Sequence, residues 1–122
     1  MIALTFFVLA GIAEAVMDTL QFHFYRSWFG LLKSSFWDPK ESWKNKYKLN
    51  DPMYGPKFFG STTIFVGLTD AWHLFKLLRN LFLFVGIFFL ALFYTDFWSV
   101  LQYVVLARIA FGLSFTLFYK ML

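Results

Sequence analysis

The chain has 122 residues, 60% of them hydrophobic and 15% charged, with 19 Phe, 3 Pro and no Cys. Soluble domains carry about 45–50% apolar and about 25% charged residues, so this composition excludes an ordinary water-soluble domain, a disordered or collagen-like chain, a disulfide-stapled scaffold and a multidomain enzyme. A formal charge of +4 would raise nucleic acid as a partner for a soluble protein, but here the basic residues crowd one stretch of an apolar chain, and the polyanion that fits is an anionic lipid leaflet.

The first apolar run covers about 2–24 and is closed by Arg26, close to the ~20 residues a bilayer needs. Ala13-Glu14-Ala15 has the small-x-small shape of a signal-peptide cleavage site, but no Lys or Arg precedes the run, so it is read as a span. A loop over 26–57 follows. Within it Asp38-Pro39-Lys40-Glu41 resembles a capping box with Pro at the first helical position and predicts a short helix at about 39–47. Asn50-Asp51-Pro52 and Gly55-Pro56 mark turns.

Residues 61–76 place Thr62, Thr69, Asp70, His73 and Lys76 at roughly the helical period, opposite Phe65, Leu68, Trp72 and Phe75. That pattern predicts an amphipathic helix at the interface, with a fourth span as the alternative. The segment has no Pro before the next span, about 77–94, and is free to run into it unbroken or to bend near Arg79-Asn80. After a turn at Thr95-Asp96, residues 97–119 form a last span carrying one charge, Arg108. The expected fold is an all-α integral membrane protein, a single membrane domain over 1–122 with three transmembrane helices, the last two forming a hairpin.

Nine of the 11 basic residues (Arg26, Lys33, Lys40, Lys44, Lys46, Lys48, Lys57, Lys76, Arg79) lie between residues 26 and 80, against the acids Asp38, Glu41, Asp51 and Asp70. The positive-inside rule then puts the loop 26–80 and the C-terminus in the cytoplasm and the N-terminus outside. Tyr25, Trp28 and Tyr119 fall at the inner interface on this reading, Tyr94 and Trp98 at the outer one. Aromatic and basic residues interleave over 36–48, and Lys40, Trp43, Lys44, Lys46 and Lys48 are candidate contacts to lipid head groups. The lysines are too dispersed for a nucleic-acid groove.

Charges inside a bilayer cost at least ~2.5–3.5 kcal/mol each at a helix centre, which singles out Glu14, Asp18 and Arg108. Gly11, Glu14, Asp18 and Gln21 share one helical stripe, and Glu14 and Arg108 lie at similar depth, so Arg108 is expected to pair with Glu14, Asp18 or both. Such a cluster either fixes helix packing or leaves one carboxylate able to trade protons. A conducting path is disfavoured because residues 2–13 offer only Thr5 as a polar group.

Asp70 and His73 at i,i+3, with His23 and Asp18, are candidate acid/base residues or ligands for Zn or Fe. The bland alternative is a pair of interfacial histidines, and HExxH is absent. No Gly-x-Ser-x-Gly supports a serine hydrolase, so Ser27, Ser34, Ser35 and Ser42 read as loop and cap residues. Two functions remain. One is a non-catalytic accessory or assembly component, cofactor-free, that binds lipids and a protein partner or a second copy of itself in the bilayer. The other is a membrane-interface hydrolase of a lipid-like substrate built on Asp70 and His73 with Asp18 and His23.

Overall fold

The computed structural model describes residues 2–122, which are mostly helical and, among the described residues, contain no β-strand. Three long helices dominate: α1 Ile2–Asp18, α2 Ala71–Phe93 and α3 Phe97–Met121. With the turns that continue α1 to Arg26, these are three helices long and apolar enough to cross a membrane, the mark of an integral membrane protein. The chain forms two compact units, residues 2–15 with 78–121, and residues 16–77 with Leu122.

In the first unit the helices meet through small residues. Ala3, Ala10, Ala13, Ala107 and Ser114 are buried, while Phe84, Phe93, Trp98 and Leu113 point outward, as expected where lipid replaces water as solvent. Gly11 marks the closest approach: a Cβ there would collide with Ser114 Oγ and stand 2.5 Å from the Phe111 carbonyl oxygen. Between α1 and α2 the packing is aromatic. Phe6 stacks on Phe89 at 5.8 Å between centroids, and Phe7 lies against Gly86, where a Cβ would come within 3.0 Å of its ring.

The second unit starts where α1 gives way to a π-helical turn, Thr19–His23, and a 3-10 turn, Phe24–Arg26. Val16, Leu20, Phe24 and Ala71 form its core, with Phe29, Phe36, Trp37, Trp72, Phe75 and Leu122 packed around it. Trp28 N–H donates to the Leu122 carbonyl at 3.3 Å, and Ala71 N–H donates to that of Phe36 at 2.9 Å.

Two expected helices are corrected. Residues 39–47 form turns and one 3-10 turn, Ser42–Lys44. The Asp38 carboxylate accepts from the Lys40 N–H at 2.9 Å, an Asx-turn that competes with a helix cap. Glu41 pairs forward with Lys44 at 3.1 Å instead of reaching back, and the Asn45 side chain donates to the Thr69 carbonyl at 3.1 Å.

Residues 61–70 are likewise turns, including the 3-10 turn Val66–Leu68, neither an amphipathic helix nor a fourth span. Gly60 at φ +77°, three threonines and Gly67 disfavour a helix. Hydroxyls also bond backward, with Thr69 Oγ1 donating to the Val66 carbonyl at 2.7 Å. The helix begins only after Asp70, whose carboxylate caps it by accepting the His73 N–H at 2.8 Å. It then runs unbroken through Arg79-Asn80 to Phe93, so Lys76 and Arg79 belong to a spanning helix and not to the loop.

Candidate functional sites

Glu14 does find a cation within the first unit, but it is Arg79. Arg79 Nη1 donates to Glu14 Oε2 at 2.6 Å, with the two side chains 24% and 25% exposed. Arg79 Nε and Nη2 also donate to Asn80 Oδ1 at 3.2 and 3.0 Å, so a single guanidinium serves two neighbours. The early start of α2 explains the exchange of partners, because Arg79 then lies about two turns, ~12 Å, inside its helix. The expected pairing of Arg108 with Glu14 is therefore corrected. Asp18 is half-buried at the end of α1 and belongs to the other unit.

Arg108 instead lines a cavity of about 880 Å³ walled by Phe7 of α1, Leu83, Ile87 and Leu90 of α2, and Val104 and Phe111 of α3. Its guanidinium carbon lies 5.8 Å from the Phe111 ring centroid, and among the described residues it makes no hydrogen bond or ion pair. About eleven residues from the start of α3, it sits ~16 Å down the helix, near the middle of a ~30 Å hydrocarbon core.

Asp70 and His73 are brought together in the second unit. Asp70 is 3% exposed, and both its oxygens face His73 Nδ1, at 2.9 and 2.7 Å. The pair lines a cavity of about 330 Å³ together with Trp37, Trp43, Trp72, Ser42 and Gln21. The π-helical turn delivers Leu20 and Gln21 to this wall, a use of irregular helix that recurs at functional sites.

Of the metal-ligand candidates Asp18, His23, Asp70 and His73, no three come together: among the described residues no group of three or more His, Cys, Asp or Glu is placed to hold an ion. His23 ends the π-helical turn as an exposed residue, and Asp70 and His73 are paired.

The basic loop residues have local partners. Lys40 Nζ lies 4.9 Å from the Tyr25 ring centroid, Lys44 Nζ 5.7 Å from that of Trp43, and Lys46 Nζ 5.6 Å from that of Tyr47. Lys48 is exposed at a 3-10 turn.

Three helices long and apolar enough to cross a bilayer are compatible with a small membrane protein. No family model, curated protein or solved structure matches the chain, so its function is argued from its own geometry. The sequence pattern missed Arg79 and Ser42 as site residues. Arg79 was within reach of a reading that took Asp70 as a helix cap. Ser42 carries no local signal, because it meets Asp70 and His73 only through the folding of the intervening turns.

Proposed function

We propose that the protein is a non-catalytic assembly component of a membrane complex, and that its partner is a transmembrane helix with a carboxylate at mid-span. The observation that carries this reading is Arg108, a cation on the wall of an apolar cavity with no acceptor among the described residues. A charge at that depth is stable only when paired or hydrated. The Arg side chain is too short to snorkel ~16 Å to either interface, which argues against a lipid head group as the anion. A second copy is a poor source as well, since its Glu14 is already held by Arg79. The proposed orientation follows the charge bias, with the N-terminus outside and the loop within 26–70 and the C-terminus cytoplasmic. There Lys40, Trp43, Lys44, Lys46 and Lys48 meet anionic head groups.

The test uses the full chain in lipid vesicles with a labelled model peptide, a 23-residue Leu-rich helix bearing Asp, Asn or Leu at its centre. Energy transfer is expected to report association with the Asp peptide, weaker association with Asn and none with Leu, and Arg108→Leu abolishes the preference. Equal association of the Asp and Leu peptides would overturn the reading.

A further inference from the structure

The 330 Å³ cavity of the second unit has the make-up of a small-molecule site: aromatic walls and a few convergent polar groups. Its acceptor is pre-set. Asp70 engages Nδ1 of His73, an arrangement that, in a neutral imidazole, puts the proton on Nδ1 and a lone pair on Nε2. Nε2 has no hydrogen-bond partner among the described residues, and the His73 side chain is 36% exposed. Ser42 is 7% exposed, yet its hydroxyl spends itself on no hydrogen bond among the described residues, leaving a donor and acceptor on the same cavity. Gln21 adds an amide.

Charge decides what such a cavity accepts. Lys76 Nζ lies 5.0 Å from the centroid of Trp72 and Lys44 Nζ 5.7 Å from that of Trp43, so two of the three indoles already carry a cation and a cationic ligand is repelled. The Asp70 carboxylate on the wall opposes an anion. What remains is a neutral group that donates and accepts hydrogen bonds and has an apolar face for tryptophan.

We propose that this cavity binds a neutral polyol of sugar type, with His73 Nε2 accepting from one hydroxyl, Ser42 and Gln21 bonding others, and Trp37, Trp43 and Trp72 covering its C–H face. The proposal stands independently of the partner-helix reading, which concerns the other unit.

To test it, the full chain is purified in a detergent without sugar head groups and placed in phosphatidylcholine nanodiscs. Tryptophan fluorescence is then titrated with octyl glucoside below its micelle concentration, with an octyl oligoethylene glycol ether and with free glucose. A saturable change with the glucoside and none with the ether is expected. Ser42→Ala and His73→Ala each weaken the apparent affinity about tenfold, the loss of one hydrogen bond to the ligand, while Thr116→Val leaves it unchanged. Binding of free glucose would assign the ligand to a soluble sugar, and its failure beside a positive glucoside titration would assign it to a glycolipid head group. Both outcomes support the site. Equal responses to glucoside and ether would overturn it, as would unchanged affinity in variants that keep wild-type helicity. If His73→Ala fails to fold, Ser42→Ala and Gln21→Ala decide the matter by the same readout.

Discussion

In residues 2–15 and 78–121 the interior polar groups are few, and the one ion pair among the described residues there joins two helices, Glu14 to Arg79. In residues 16–77 they are mostly neutral and are spent on backbone atoms. Glu14 with Arg79 represents the first arrangement. Asn45 on the Thr69 carbonyl and Ser61 on the Lys46 carbonyl represent the second. The difference follows from what the backbone needs. Long helices satisfy their own N–H and C=O groups and leave side chains to solve only the charge problem. A chain of turns leaves many backbone groups open, and short polar side chains close them.

The sharpest way to break the first arrangement is to remove its cation. Arg79→Leu strands the Glu14 carboxylate, a loss expected to cost about 3 kcal/mol, at the lower end for a buried pair because both side chains keep some exposure. Replacing both residues by Leu returns most of that stability. Arg108→Leu, by contrast, removes a charge with no ion-pair partner among the described residues and costs nothing. Unfolding in mixed micelles followed by helicity separates the two arginines, and equal losses at both positions would show that Arg108 has a structural acceptor after all.

The same contrast governs what could be read from the residues alone. The spans were legible because an uncharged run of the needed length has one low-energy solution in lipid, and the structure has three helices long and apolar enough to cross a membrane. Residues 61–70 were misread because polar residues recurring every three to four positions look alike in a helix face and in a series of Thr- and Gly-rich turns. What separates them is where each hydroxyl finds its acceptor, which depends on residues far away in sequence. The i,i+3 pairing of Asp70 with His73 was legible because it is local to one helix turn. The convergence of Ser42, Gln21 and three tryptophans on that pair was not, since it depends on how residues 27–70 fold back. Arg79 was lost to a boundary error, for a helix drawn from 77 leaves it at the rim and one drawn from 71 carries it inward.

Ser61 sharpens the second arrangement. Its hydroxyl donates to the Lys46 carbonyl at 2.8 Å, and the same carbonyl accepts from Lys57 N–H at 2.9 Å. The side chain is 0% exposed, so water cannot replace it. Ser61→Ala is expected to cost about 1 kcal/mol and to act locally. Amide exchange should accelerate over residues 46–61, while that of α2 and α3 stays unchanged. Acceleration throughout the chain would mean that the turns and the helices unfold as one cooperative body.

The smallest effect belongs to Asp96, at the start of α3. Its carboxylate accepts the Ser99 N–H at 2.9 Å, capping the helix, and the hydrogen bonds from Ser99 hold its pKa below the usual carboxylate range. A carboxyl group whose folded pKa is depressed binds its proton more weakly in the folded state than in the unfolded one. The stability it contributes is therefore complete above its unfolded value of about 3.9 and is lost as pH falls through the lowered folded value. Asp96→Asn keeps an acceptor at the cap but removes the charge. It should lower stability slightly at neutral pH, where the carboxylate's contribution is complete, and flatten the part of the acid dependence that comes from this turn. Exchange of the Ser99 amide, followed as the pH is lowered in wild type and variant, reads that difference directly. Identical profiles would place the acid sensitivity of the turn in another group.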